Sequence, residues 1–170
     1  MLVRQVTLPE ASLLAQLSDL LIDAVHNGAS VGFLAPLAQQ SAAAYWGHVF
    51  ASLGDGLLLW VAEVGGKVVG SVQLAPCLKE NGRHRAEIQK LIVHSAHRGQ
   101  GIAGRLMAEA EAFSRSAGIT LLVLDTQAGS VAESVYQHLG WQKAGEVPNY
   151  AASPDGQLHA TAYYFKANAP

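Results

Sequence analysis

The sequence predicts an α/β (α+β) fold, a central sheet with helices on both of its faces. Three observations carry that expectation. Half of the 170 residues are apolar and only 14% are charged, a composition that excludes disorder and asks for an interior covered on both sides of a sheet. Runs of strand character are interleaved with stretches of helical periodicity. The strand runs gather first into an antiparallel meander and then into a strand–turn–helix–strand unit. A chain of this length is expected to form one domain, residues 1–170.

VRQVTL reads as the first strand. Thr7 with Glu10 three residues later has capping-box spacing and is expected to open a helix through ASLLAQLSDLLIDAV, whose Leu13, Leu14, Leu17, Leu20, Leu21 and Val25 form a core stripe. HNGASVGF, residues 26–33, interrupts it with two glycines. A second helical stretch, PLAQQSAAAYWGHVFASL, then runs to the GDG turn at residues 54–56, with Tyr45 and Trp46 expected in the core. LLLWVAEV and KVVGSVQLA, separated by Gly65 and Gly66, are a hairpin, and a polar turn at residues 79–83 leads into RAEIQKLIV as the third member of the meander.

After the glycine-rich turn, Leu106, Met107, Ala110 and Phe113 recur at helical spacing, with Arg115 in the last turn and Gly118 beyond it. ITLLVLD, residues 119–125, is continuously apolar and is expected to be a strand covered on both faces. SVAESVYQHLG reads as a short helix ended by Gly140, WQKAGEV as a strand, SPDG as a turn and HATAYYFK as the last strand.

A net charge of −2 leaves no basic footprint for nucleic acid. The amino terminus lacks a secretory pattern, and no apolar run is long enough to cross a bilayer. Cys77 is alone, which excludes an internal disulfide and points to a reducing, cytoplasmic setting. His84, His94 and His97 match no ordinary zinc spacing, so no metal is expected.

HRGQGIAGRLM, residues 97–107, fits two phosphate loops. Gly99, Gly101 and Gly104 have the G-x-G-x-x-G spacing of a dinucleotide turn, whereas Arg98, Gly101 and Ala103 have the R-x-x-G-x-A spacing associated with acyl-CoA. Both rest on the same physics, backbone N–H groups and a helix amino terminus offered to a pyrophosphate. A dinucleotide fold places this turn after its first strand, and here an antiparallel meander precedes it, which demotes that reading.

With LIVHSAHRGQGIAGRLM followed by Ala132, Val135, Tyr136, Gly140 and Trp141 in the order of an A-x-x-L-Y-x-x-x-G-F/W pattern, the sequence resembles the GNAT superfamily of N-acetyltransferases. RAEIQKLIV, DTQAGSVAE and the tail from GEVPNY to PDGQLHATAYYFK resemble its tabtoxin-resistance enzymes in particular. Two departures stand out: Gly129 replaces an asparagine common in the superfamily, and His94 to His97 replaces a proline-containing approach to the turn.

The resemblance implies a mixed, mostly antiparallel sheet of about seven strands, splayed beside the glycine turn, with a cofactor-binding core at about residues 86–141. It implies acetyl-CoA as cosubstrate, held by Leu91, Ile92, Val93, Arg98, Gly99, Gln100, Gly101, Ile102, Ala103 and Gly104, and transfer of acetyl to a small-molecule primary amine, an amino-acid-like toxin, antibiotic or metabolite. Tyr136 is the implied general acid for the leaving thiolate, and Glu87 with Asp125 the implied base, acting through water. Each has a plainer alternative: Tyr136 as a packed aromatic, Asp125 as the cap of the next helix. HNGASVGF and EVPNYAASPDG are the irregular segments expected to wall the amine pocket, with Ser30 and Tyr150 as candidate contacts. Protein N-acetylation and a non-catalytic acyl-CoA-binding module are the alternatives.

Overall fold

The computed structural model describes residues 1–168. Among these residues seven strands form one sheet: β1 (Leu2–Val6), β2 (Leu58–Val64), β3 (Lys67–Pro76), β4 (Arg85–Val93), β5 (Leu121–Gln127), β6 (Gln142–Ala152) and β7 (Leu158–Ala167). Among the same described residues four α-helices accompany them: α1 (Ala11–His26), α2 (Gln39–Ala51), α3 (Ile102–Ser116) and α4 (Val131–His138). The spatial order is β1-β2-β3-β4-β5-β7-β6, with β4 and β5 parallel and every other neighbouring pair antiparallel. Among the described residues no helix is long and apolar enough to cross a membrane.

The leucine stripe of α1 is buried as its spacing requires: Leu13, Leu17, Leu20, Leu21 and Val25 are all within 2% of full burial, and Leu14 lies at the half-buried margin. The capping box does not form. Arg4 of β1 takes both oxygens of Glu10, at 2.8 and 3.0 Å, so Glu10 stands as the residue before the helix with no side-chain cap bond. Packing rather than capping therefore holds α1, the usual situation for an amphipathic helix. The Gly65–Gly66 turn has φ of +58° and +78°, the paired positive values a tight hairpin turn needs.

Two cores result, one on each sheet face. α1 and α2 pack Leu17, Leu20, Leu21, Trp46 and Val49 against Leu59, Val61 and Ile92. On the other face α3 and α4 pack Ile102, Leu106, Met107 and Tyr136 against Val72, Leu74, Ile88, Leu122, Leu124 and Tyr164.

β5 corrects one expectation. Leu122 and Leu124 are buried, but Leu121 and Val123 are half-exposed and Asp125 is exposed, so the strand is covered on one face only. β6 corrects another. EVPNYAA is not an irregular wall, because β6 continues to Ala152 and absorbs Pro148, Asn149 and Tyr150 as a bulge between the pairs Val147–Thr161 and Ala151–His159. Such a bulge tolerates a proline, which has no N–H for a ladder, and Asn149 takes a left-handed φ of +51° there. Only the SPDG turn and its neighbours are non-strand, closed by Gly156 N–H on the Ser153 carbonyl at 2.8 Å.

Candidate functional site

β4 and β5 pair only through Arg85–Glu87 and Leu121–Val123. Beyond Glu87 the two strands part, and β4 from Ile88 to Val93 presents an open backbone edge. Within that stretch the β3–β4 register slips between Ser71–Ile92 and Gln73–Gln89, a bulge at Lys90, which has φ +48°. The slip exchanges faces: Ile88 packs with α3, whereas Ile92 packs with α1 and α2.

The glycine turn lies at the open end of this splay. Asp23 of α1 accepts bonds from the N–H and Oγ of Ser95, both 2.7 Å, which moors the approach to the turn; those bonds hold its carboxyl below the usual range although burial opposes them. Gly99 and Gly101 have φ of +75° and +74°, and Gly101 precedes α3 without offering a side-chain cap. The first intrahelical bond is Arg105 N–H to Gly101 O, at 3.2 Å, so the N–H groups of Ile102, Ala103 and Gly104 face out of the helix end. Arg98, Gly99, Gln100 and Gly101 are exposed. The side chains of Ile92 and Ile102 are in the core, so these two positions offer backbone only, and Leu91 and Val93 are half-buried. Arg98 Nε reaches the Val93 carbonyl at 3.4 Å.

Gly70 of β3 sets how deeply α3 sits. A Cβ there would meet Leu106 Cδ1 at 3.0 Å and both Ile102 Cγ2 and the Ile92 carbonyl at 3.1 Å, so the first turns of α3 rest on bare backbone.

Tyr136 enters from the α3–α4 side. It is buried between Trp141 and Tyr164, with ring centroids at 6.2 and 6.4 Å. Burial, then the negative charge of Asp125, push its phenol well above the usual range and keep it protonated. The helix carrying it is anchored by Glu133, which sequence reasoning missed. The Glu133 carboxylate accepts from Gly129 N–H at 2.6 Å, Tyr164 hydroxyl at 2.7 Å and Lys143 Nζ at 2.8 Å. Lys143 first, then Tyr164 and Gly129, hold its pKa down to about 2. The available signal was the S-x-x-E spacing of Ser130 and Glu133, whose N–H indeed donates to Ser130 Oγ at 3.2 Å.

Glu87 and Asp125 lie on the other face. Glu87 pairs in register with Val123, and Asp125 follows two residues later on the same side of β5, so both carboxylates flank the point where the strands separate. Asp125 is also paired with Tyr163, whose ring meets Tyr150 at 5.8 Å and whose hydroxyl the neighbouring Tyr150 hydroxyl pushes up to about 12. Asp125 does not cap α4; Ser130 does.

Two further residues on this face were not anticipated. Lys90 places its ammonium 5.5 Å from the centre of the Tyr45 ring, and burial lowers its pKa against the pull of Asp125 and Glu87. Tyr45, expected in the core, is only partly buried; it bonds with Gln73 at 3.0 and 3.2 Å, and burial pushes its hydroxyl to about 12. Trp46 is fully buried.

The loop at residues 27–38, which holds Ser30 half-buried, meets the SPDG turn through Ala35 N–H on the Pro154 carbonyl at 2.9 Å. Between them, at the end of β5, opens a cavity of about 380 Å³ lined by Val25, His26, Ala35, Gln127, Pro154 and His159. A groove of about 400 Å³ between β1, β2 and α3 holds none of the candidate residues. Among the described residues no group of His, Cys, Asp and Glu is arranged to hold a metal ion.

The splay, the glycine turn and Tyr136 all lie within the span that a family comparison matches. Residues 30–141 match the Acetyltransferase (GNAT) family. This chain belongs to that family. Among curated GNAT relatives, N-acetyltransferase 8 of Rattus norvegicus is 43% identical over 91 residues, which is 51% of this chain and 40% of the relative. The match thus spans well under half the length of that relative. Solved structures agree on the fold over nearly the whole chain. A ribosomal-protein-alanine N-acetyltransferase from Brucella melitensis has a TM-score of 0.78 at 23% identity, covering 99% of this chain and 100% of that one. An aminoglycoside 6'-N-acetyltransferase complexed with coenzyme A has a TM-score of 0.76 at 19% identity, covering 100% and 98%.

Proposed function

We propose that this protein transfers an acetyl group from acetyl-CoA to a primary amine of a small molecule by direct attack. The observation that carries the reading is the disposition about the splay: Tyr136 approaches from the α3–α4 face, and Glu87 and Asp125 from the opposite face. A thioester lying in the gap has a proton donor on one side and two carboxylates on the other. The N–H groups from Arg98 to Gly104 hold the pyrophosphate, the open edge at Leu91 to Val93 receives the pantetheine arm, and the parted strand leaves a backbone donor for the thioester oxygen.

The amine nitrogen forms the new C–N bond as C–S breaks. Its proton passes through water to Glu87 or Asp125, and the departing sulfur takes the phenolic proton of Tyr136. The two transfers assist each other. Asp125's charge is part of what keeps Tyr136 protonated, so a proton arriving on Asp125 makes the phenol a better acid when the thiolate needs it. Likeness to the tabtoxin-resistance enzymes supports an amino-acid-like acceptor, and the lone Cys77 a cytoplasmic setting.

Calorimetric titration with acetyl-CoA, beside NAD and NADP, tests the cofactor: micromolar binding of acetyl-CoA alone is expected. Tyr136→Phe is then expected to lower kcat by about 10²- to 10⁴-fold with acetyl-CoA affinity unchanged. Dinucleotide binding without acetyl-CoA binding, or undiminished turnover in Tyr136→Phe, refutes the reading.

A further inference from the structure

Among the described residues Lys90 Nζ has no hydrogen-bond or ion-pair partner. Most of the side chain is out of water, yet Asp125 and Glu87 act on it only through space, with no hydrogen bond to either. Its ammonium lies over the Tyr45 ring, and the backbone of Gly32 comes near enough that a Cβ there would lie 3.8 Å from Nζ. A ring face covers one side of an ammonium and satisfies none of its three N–H donors. The β4 backbone also accepts a left-handed, non-glycine conformation at this residue, which persists only where the surroundings hold it. The result is a cation held on the same sheet face as Glu87 and Asp125, under the loop at residues 27–38.

We propose that Lys90 determines acceptor specificity by binding a carboxylate on the substrate, so that the acceptors are amino acids and their derivatives with a free carboxyl group. This rests on the acetyltransferase reading above. The charges match a zwitterion: the acceptor's amino group lies toward Glu87 and Asp125, and its carboxylate supplies the hydrogen-bond acceptor that Lys90 lacks. An acceptor bearing a second ammonium in place of the carboxylate meets Lys90 as a like charge, which disfavours polyamines and aminoglycosides at this site.

The test measures acetyl-CoA-dependent release of CoA with the common L-amino acids, their carboxamides, spermidine and kanamycin. A site built to bind a carboxylate rejects the analogue that lacks it, so kcat/KM for the best amino acid is expected to exceed that for its carboxamide by about tenfold or more, mainly through KM. Lys90→Gln collapses that ratio toward unity and Lys90→Arg restores part of it, with the acetyl-CoA dissociation constant unchanged in both. Should Lys90→Gln fail to fold, the wild-type ratio of acid to amide decides by itself. Equal turnover of acids and amides, preference for spermidine or kanamycin, retention of the ratio in Lys90→Gln, or acetyl-CoA binding without turnover of any amino acid overturns the inference and leaves acetyl-CoA recognition standing. Failure to bind acetyl-CoA overturns the reading beneath it.

Discussion

Glu111 joins three parts of the fold, and removing its carboxylate measures how firmly Tyr136 is supported. The side chain is 10% exposed and lies on α3. Its oxygens accept from Lys166 Nζ at 3.0 and 2.8 Å and from Trp141 Nε1 at 3.2 Å; Lys166 also donates to the Leu139 carbonyl at 2.9 Å. Trp141 in turn packs edge-on against Tyr136. Glu111→Leu removes a charge-assisted pair, each such bond contributing about 1.5–3 kcal/mol, and strands a buried indole N–H at about 1–3 kcal/mol. Lys166 keeps its carbonyl and is 27% exposed, so part of its charge rehydrates. The net loss is about 3 kcal/mol, which for a chain of this size lowers Tm by about 6–12 °C. Urea and thermal unfolding of Glu111→Leu, Lys166→Met and the double variant form the cycle, and a coupling of about 1–2 kcal/mol is expected. A loss under about 1 kcal/mol in Glu111→Leu refutes the reasoning, because the carboxylate would then be replaceable by an apolar side chain at no cost.

Glu133→Gln is expected to cost about 2 kcal/mol at neutral pH by weakening the charge-assisted bonds from Lys143, Tyr164 and Gly129. The folded carboxyl titrates at about 2, below its ordinary 4.5, so the stability it adds is full above about pH 4.5 and is lost as pH falls toward 2. Unfolding curves of wild type and variant should therefore converge across that window; a gap that stays constant to pH 2 contradicts the assignment. Gly70→Val drives a branched side chain into a space where a Cβ alone meets Leu106 and Ile102 at 3.0 and 3.1 Å. Overpacking of this kind costs about 1–3 kcal/mol and displaces the start of α3, so acetyl-CoA affinity measured by calorimetry should fall. Unchanged affinity in a destabilised Gly70→Val would show that the helix end is positioned from elsewhere.

Much of the fold is written in local pattern. The leucine period of α1, the Gly65–Gly66 turn and the strand runs of β2 and β3 each depend on neighbours close in sequence, and each forms where expected. The failures are places where a distant group won. Arg4 claimed Glu10 and left the capping box unmade. The uncovered face of β5 made an apolar run look more buried than it is, since hydropathy alone cannot say which face a helix will cover. At β6 a bulge let Pro148 and Asn149 stay in a strand that their turn propensities argue against.

The candidate site divides along the same line. Sequence by itself determined the glycine turn at the head of α3 and the order of Glu87, Asp125 and Tyr136 along the chain, because a phosphate loop and its helix are contiguous and their spacing survives folding. Only the tertiary structure decided that Tyr136 lies on one sheet face and the two carboxylates on the other, that Gly70 admits α3 to the sheet, and that Lys90 stands on the carboxylate face. Lys90 is the sharpest instance: strict alternation along β4 would put it opposite Glu87 and Gln89, and the bulge that shifts the register is set by β3, a strand whose hold on Lys90 leaves no mark in the residues around it.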